Sequence, residues 1–194
     1  MRKERDSLGE KEVPDEAWYG VHTVRSLENF HVMGERVPLE IVYGMVKLKW
    51  ACAKTNRTLG LLSPEKAEAI SKACRRILAG GFESQFAIDV FQAGSGTSSN
   101  MNVNEVVANV ACEELGAARG DRKAIHPNDD VNMGQSTNNV FPSAIKIAGV
   151  ELSGKLLAAA RKLRAELRKK EGEFADVIKS GRTHLQDAVP ITLG

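Results

Sequence analysis

The chain has 194 residues, 42% of them hydrophobic, and its 27 basic and 25 acidic residues leave a net charge of +2. This length and hydrophobic content are enough for a buried core, and so small a net charge does not indicate a nucleic-acid partner. We find no run of about 18 apolar residues that could span a membrane, and the first six residues lack the apolar core of a secretory signal. We therefore expect a cytoplasmic protein without a membrane partner.

Cysteine and histidine usage argues against metal sites and disulfides. Cys52, Cys74 and Cys112 are odd in number and far apart, within apolar helical patterns. We interpret them as reduced thiols in or near the core. No two of the four histidines have the helical spacing of metal ligands. The sequence therefore predicts a site that contains no metal and needs no cofactor.

The first elements in chain order are an arm and two helices. Residues 9–37 are predicted to be irregular because glycines and prolines interrupt any periodic pattern, with Trp18-Tyr19 anchoring the arm on the core. A helix is predicted from Pro38 to Gly60, where apolar residues recur with a period near 3.6. Ser63-Pro64 then provides an N-cap followed by proline, which begins a second helix that ends at Gly80-Gly81.

Two further helices follow, and the second is long. A polar block at residues 94–104 leads into a helix that ends at Gly116. The longest helix is predicted from about Asn139 to Lys170 and would span roughly 45 Å, so it needs long partners. A short strand-like segment lies near residues 176–179, and Pro190–Leu193 is predicted to be the first turn of another helix. A helix that stops so early indicates a fragment of a longer protein.

The predicted fold class is mainly α. We expect an N-terminal helical domain over residues 1–133. Residues 134–194 are expected to begin a truncated central helical bundle, of which the long helix is the first member.

Three polar blocks with glycines lie beside the predicted helices, at residues 94–102, 126–139 and 181–187. Hydroxyls, amides and free backbone N–H groups at a helix N-terminus suit an anion. In the first block, glycines permit unusual backbone conformations, Ser95 and Thr97 present hydroxyls, and three asparagines present amides. Taken alone, this block is best explained as a capped helix entrance.

The second and third blocks add histidines. His126, Asn128 and Asp129 stand around Pro127, and Gln135–Asn138 place four potential hydrogen-bond donors before the long helix. His126 has an alternative explanation as a loop residue bonded to the backbone. In the third block, Thr183 and His184 could orient a substrate or move a proton, whereas neighbouring Arg182 and Asp187 are expected to pair and fix the loop.

In this order, the blocks resemble the three-part site of the aspartase/fumarase superfamily of lyases. The resemblance covers nearly the whole chain and is most specific over residues 94–105, 126–142 and 181–193. It implies a homotetramer whose composite active sites draw residues from three subunits and eliminate a group from a succinyl-type substrate to give fumarate. Removing a Cβ proton beside a carboxylate creates an aci-carboxylate, which hydrogen-bond donors stabilise.

The resemblance also assigns roles to individual residues. Thr183 and His184 would be catalytic, and residues from all three blocks would contact a dicarboxylate substrate: Ser95, Thr97, Ser136, Thr137, Asn138, Thr183 and His184. His126, Asn128 and Asp129 would form a secondary dicarboxylate site. The general base of the superfamily lies in a serine-containing loop beyond the position of Gly194, so we expect the 194-residue chain alone to be inactive.

The substrate remains a choice between alternatives. Thr137 within Gln-Ser-Thr-Asn is similar to aspartases, whereas residues 94–97 and 102–105 resemble fumarases. We place reversible elimination of ammonia from L-aspartate first and fumarate hydratase activity on L-malate as the alternative. A third hypothesis is a non-catalytic structural or assembly module, since relatives of the superfamily serve as lens crystallins. Asn139, where the superfamily usually has Asp, and Gly134, in place of a commoner serine, depart from the pattern.

Overall fold

The computed structural model describes all residues from 1 to 194, and the predicted mainly helical fold is confirmed. The chain divides into two compact units, residues 1–148 and 149–194. The division falls within the longest helix, whereas the domain boundary that we propose from the sequence lies at residues 133/134, before that helix begins. None of the helices combines the length and the apolar character that crossing a membrane demands.

The arm at the start of the first unit is ordered, so the prediction of an irregular segment is wrong. Strands β1 (Arg2–Asp6) and β2 (Gly9–Val13) form an antiparallel hairpin, and helix α1 spans Val21–Asn29. Gly20 provides no side-chain cap for α1. Three backbone N–H groups at its start, those of Gly20, His22 and Thr23, donate instead to the carboxylate of Glu105, more than 80 residues later. No local signal marks this helix because its cap comes from a distant residue.

Three helices form the core of the first unit: α2 (Leu39–Thr58), α3 (Pro64–Leu78) and α4 (Thr97–Glu114). The hydroxyl of Ser63 accepts a hydrogen bond from the backbone N–H of Lys66, as the N-cap prediction requires. Trp18 of the arm packs edge-to-face against Phe82, with ring centroids 5.4 Å apart, which confirms its anchoring role. The largest core side chains that solvent does not reach include Met45, Ile70, Ile77, Ile125, Val103, Val106 and Val110.

Helix α5 (Thr137–Glu173) begins in the first unit and is the long helix that the sequence predicts. Up to residue 148 its buried side chains are small or β-branched, and Gly44 of α2 lies close to Ala144. From residue 149 onward its large apolar side chains are exposed: Val150, Leu152, Leu156, Leu157, Leu163 and Leu167.

The second unit ends in a hairpin, so the prediction of a terminal helix is wrong. Strands β3 (Ile178–Thr183) and β4 (Gln186–Thr192) pair antiparallel, with Pro190 opposite Ser180. Val189, Ile191 and Thr192 are β-branched residues, which favour a strand. Cross-strand pairing with β3 therefore outweighs the helix-start signal of Pro190. A segment of four residues cannot form a stable helix by itself.

Candidate functional site

The first polar block forms a tight turn that leads into α4. Residues Gly94–Gly96 make one 3-10 turn, in which Ser95 and Gly96 both have positive φ, at 60° and 78°. The side chain of Ser95 is exposed, whereas the hydroxyl of Thr97 donates to the carbonyl oxygen of Gly94 at 2.9 Å. A Cβ on Gly96 would collide with the ring of Phe141 in α5. The block therefore requires glycine here so that it can pack against the start of α5.

The asparagines of the first block lie in the interior of the protein, whereas the sequence suggested that they face a ligand. Asn100, Asn102 and Asn104 are all buried. The Nδ2 atom of Asn102 donates to the backbone carbonyl of Gln85 at 3.0 Å and to the hydroxyl of Thr23 at 3.2 Å. Buried amides need such partners because an unsatisfied polar group costs free energy. These bonds connect α4 to the arm, through Thr23, and to the segment that precedes α4, through Gln85.

The first and second blocks meet through Asn100. Its Nδ2 atom donates to the hydroxyl oxygen of Thr137 at 3.0 Å and to Oδ1 of Asn132 at 3.2 Å. Thr137 is the first residue of α5, and Ser136 and Asn138 on either side are exposed. The hydroxyl of Ser136 accepts from the backbone N–H of Asn138, as in an N-cap. Exposed donors at this helix N-terminus form a surface suited to an anion.

A buried lysine beneath this surface was not identified from the sequence. Lys49 of α2 is completely buried, and its Nζ donates to Oδ1 of Asn100 and Oδ1 of Asn132, both at 2.7 Å, and to Oε1 of Gln135 at 2.9 Å. Burial lowers the pKa of Lys49 to about 7, while the three oxygens act in the opposite direction because they favour the ammonium. Lys49 lies seven residues after buried Val42, which places it on the core-facing side of the helix. This spacing was the feature of the sequence that could have identified it.

A cavity of ≈ 210 Å³ adjoins the second block. It contains Ser136 together with both positions that depart from the superfamily pattern, Gly134 and Asn139. Gly134 has a φ of 70°, which explains glycine at this turn. Three larger cavities, of ≈ 510, ≈ 550 and ≈ 410 Å³, hold none of the predicted site residues. The remaining lining residues of the small cavity are Leu48, Cys52, Gln135, Val140 and Ser143.

His126 has the structural role that the sequence left open. Its Nδ1 atom accepts hydrogen bonds from the backbone N–H groups of Asn128 and Asp129, at 3.2 and 3.0 Å, and so caps the short π-helical turn Pro127–Val131. The side chains of Asn128 and Asp129 are exposed. Buried Asp130 accepts from the backbone N–H of His126 and pairs with Lys66, both at 2.7 Å. Because Nδ1 is occupied, only Nε2 of His126 is left for another partner.

The third block lies in the second unit, at the turn of the β3–β4 hairpin. His184 and Leu185 are its two central residues and both have positive φ, at 50° and 61°. The side chains of Thr183 and His184 are exposed, and Oγ1 of Thr183 lies 3.1 Å from Nδ1 of His184. Arg182 and Asp187 pair at 3.3 Å across the turn, as expected.

Backbone strain coincides with predicted site residues in both units. Ser95, His184 and Leu185 are the three residues other than glycine with positive φ, and two of them are predicted substrate contacts. Such conformations cost free energy and are concentrated at functional sites. Separately, no cluster of three or more His, Cys, Asp or Glu side chains is placed to hold a metal ion.

Comparison with known proteins identifies similar chains over this whole length. A family model described as Lyase matches residues 9–194. Class II fumarate hydratases of Thermosynechococcus vestitus and Ralstonia nicotianae are each 48% identical over all of this chain, which spans 42% of their length.

Solved structures show the same similarity. A fumarate lyase:delta crystallin from Brucella melitensis superposes with a TM-score of 0.89 and 48% identity, over 100% of this chain and 44% of that one. A recombinant class II fumarase from Schistosoma mansoni has a TM-score of 0.89 and 44% identity, over 99% of this chain and 41% of that one.

Proposed function

This chain belongs to the lyase family whose model it matches over residues 9–194, and from that premise we propose that it contributes to an enzyme of the fumarase type acting on a small dicarboxylate. The observation that carries the proposal is the contact between the first two polar blocks, where Asn100 holds the hydroxyl of Thr137 at the N-terminus of α5. Neutral donors at a helix N-terminus suit a carboxylate without a metal or cofactor.

The preferred reaction is the reversible hydration of fumarate to L-malate. The similar relatives are named class II fumarate hydratases, which favours this alternative over the ammonia-lyase reaction that we placed first from the sequence. Elimination of ammonia from L-aspartate is the second candidate, supported by Thr137 in Gln-Ser-Thr-Asn. A non-catalytic structural role is a third, because a similar solved structure is named both fumarate lyase and delta crystallin.

The proposed mechanism stabilises negative charge. Loss of the Cβ proton beside a carboxylate places a second negative charge on that group, and donors that strengthen their bonds at this stage lower the barrier. We assign this role to Ser95, Thr97, Ser136, Thr137 and Asn138. Thr97 has to release the carbonyl oxygen of Gly94 before it can donate to a substrate, because a hydroxyl has one hydrogen. Each donor of this kind contributes about 2.7–4 kcal/mol to transition-state stabilisation.

We propose that Thr183 and His184 act as catalytic groups from the second unit. Histidine changes its charge near neutral pH, so His184 can orient substrate or move a proton. His126, Asn128 and Asp129 are proposed as a secondary dicarboxylate site, for which Nε2 of His126 and the two exposed side chains are free. Residues 134–194 are proposed as the start of a central helical domain.

We further propose that the longer protein is a cytoplasmic homotetramer with no nucleic-acid partner. The exposed apolar side chains of α5 after residue 149 supply a surface for such assembly, because large exposed apolar patches mark interaction sites. Composite sites that draw residues from several subunits would then follow, as the family resemblance implies.

The test is an assay of the full-length gene product with L-malate and with L-aspartate, following fumarate by its absorbance. Malate turnover supports the preferred reaction, ammonia release from aspartate supports the second candidate, and turnover of neither supports the structural role. Ser136→Ala and Thr137→Val are expected to reduce kcat/KM about 100-fold, whereas Ser153→Ala, at a half-buried serine further along α5, serves as a control. Fumarate formation by the 194-residue chain alone would contradict the expected lack of activity.

A further inference from the structure

The three hydrogen bonds of Lys49 require its charged form. A lysine ammonium has three N–H donors and no acceptor, and Nζ meets three amide oxygens at 2.7, 2.7 and 2.9 Å. A neutral amine has only two N–H groups, so its lone pair would face one of these oxygens. The cluster of Asn100, Asn132 and Gln135 is therefore built around an ammonium.

A donor-only partner also determines how the amides are oriented. Because Asn100 and Gln135 must present oxygen to Lys49, their NH2 groups point away from it. The NH2 group of Gln135 donates to the carbonyl of Val131 at 2.9 Å, and that of Asn100 donates to Thr137 at 3.0 Å. Oδ1 of Asn132 accepts from the same NH2 group of Asn100 at 3.2 Å, so it favours the same orientation of Asn100 as the ammonium does.

The orientation of Asn100 decides what the hydroxyl of Thr137 can do. Its oxygen accepts a hydrogen bond from Asn100, and no group of the protein accepts its hydrogen. Because Asn100 presents its NH2 group and not its oxygen, it does not take the hydroxyl hydrogen, which stays free to be donated. This hydroxyl lies at the start of α5, beside exposed Ser136 and Asn138. It is therefore a donor ready for an anion.

The charge of Lys49 has no negative partner inside the protein. All three of its acceptors are neutral amides, and its other titratable neighbours are the thiols Cys52 and Cys74, whose pKa values burial raises. A buried charge without a counter-charge is costly, and such a cost is expected where a ligand supplies the missing charge. A dicarboxylate near Thr137 would supply it.

We propose that Lys49 is a positioning residue of the dicarboxylate site, which sets the orientation of Asn100 so that the hydroxyl of Thr137 is committed to donating a hydrogen bond to a substrate carboxylate. The identity of the ligand rests on the proposed function. Lys49 itself does not contact the substrate and acts through the two residues that follow it in this chain of hydrogen bonds.

The experiment is a double-mutant cycle in the full-length protein, comparing wild type, Lys49→Met, Thr137→Val and the double variant. The probe is succinate, whose dissociation constant is measured by calorimetry at pH 7, together with KM and kcat on malate or aspartate. Lys49→Met is expected to weaken succinate binding about tenfold or more in the wild-type background, as for a lost hydrogen bond to a charged group. In the Thr137→Val background it is expected to change binding less than about twofold.

A second variant keeps the test independent of folding defects. Asn100→Asp retains an oxygen partner for Lys49 but has no NH2 group to donate to Thr137, so it is expected to weaken succinate binding as Lys49→Met does. Circular dichroism checks that each variant is folded. Should Lys49→Met fail to fold, wild-type affinity in Asn100→Asp overturns the proposal.

Two other outcomes also overturn it, and the first of them is independent of the proposed reaction. Equal weakening by Lys49→Met in both backgrounds would show that Lys49 is only structural. Absence of succinate binding by folded wild type would remove the ligand on which the proposal depends. A protein that binds succinate but turns over neither malate nor aspartate refutes the proposed reaction, while the binding cycle still decides the role of Lys49.

Discussion

Replacing Gly44 by alanine tests the close approach of α2 to α5 in the first unit. A Cβ at this position would lie 2.8 Å from the carbonyl oxygen and 3.1 Å from the Cα of Ala144. Both are backbone atoms, which cannot move aside as a flexible side chain can. Lys49 lies on the same helix, so this packing also helps to place its ammonium beneath the start of α5.

Two effects of opposite sign decide the outcome for Gly44→Ala. Alanine in a helix interior is favoured over glycine by about 0.5–1 kcal/mol. Overpacking a tight contact costs about 1–3 kcal/mol. We expect the clash to win, with a net loss of about 1 kcal/mol or more in the free energy of unfolding. Because α2 must shift, succinate affinity in the full-length protein should fall as well.

The assay is equilibrium urea unfolding of the 194-residue chain, with Gly149→Ala of α5 as a matched control. A Cβ on Gly149 meets nothing within 4 Å, so this variant should gain about 0.5–1 kcal/mol. If Gly44→Ala is stabilised as much as Gly149→Ala, helices α2 and α5 do not approach each other as described. The placement of Lys49 beneath the start of α5 would then be wrong as well.

Three further predictions concern the buried carboxylate, the first block and pH. Glu105→Gln should lower the free energy of unfolding by about 2–3 kcal/mol, because four donors lose a carboxylate partner. Urea unfolding checks this, and equal stability in exposed Glu113→Gln and Glu105→Gln would contradict it. Gly96→Ala should lower the free energy of unfolding by about 2–4 kcal/mol, because alanine disfavours the positive φ and its Cβ would clash with an aromatic ring of α5. Gly94→Ala should not lower it, since a Cβ there meets nothing within 4 Å. Thermal unfolding distinguishes the two variants. Burial lowers the pKa of Lys49 from 10.5 to about 7, so above about pH 7 the folded protein loses the ammonium that the three amide oxygens favour, whereas the unfolded chain keeps it. The unfolded state then binds more protons, and the free energy of unfolding should rise between about pH 7 and about pH 8, before thiols with a pKa near about 8.5 titrate. Urea midpoints across that range should show the slope in wild type and lack it in Lys49→Met.

Some of this structure was predictable because its signals are local. Helix α3 begins and ends where Ser63, Pro64 and the glycines after Leu78 predict, since a cap and a left-handed stop depend on neighbouring residues. The 3.6-residue period likewise predicted α5 to within a few residues at each end.

The errors arise where distant residues decide the local structure. Helix α1 depends on Glu105 for its cap, and β4 depends on pairing with β3. Such contacts connect residues that are far apart in the sequence or compete with a local propensity, and propensity is a weak prior against tertiary packing.

The candidate site divides in the same way. The sequence by itself determined the order and chemistry of the three polar blocks, and so the resemblance to a lyase family, because those properties belong to residue types and spacing. Only the tertiary structure decided that Asn100 faces Thr137, that His126 caps a turn, and that Lys49 donates to three amide oxygens. The direction of a hydrogen bond depends on which groups meet in space. Lys49 lies in an apolar helical stripe, and it gains its partners only when α2 packs against α4 and the residues just before α5.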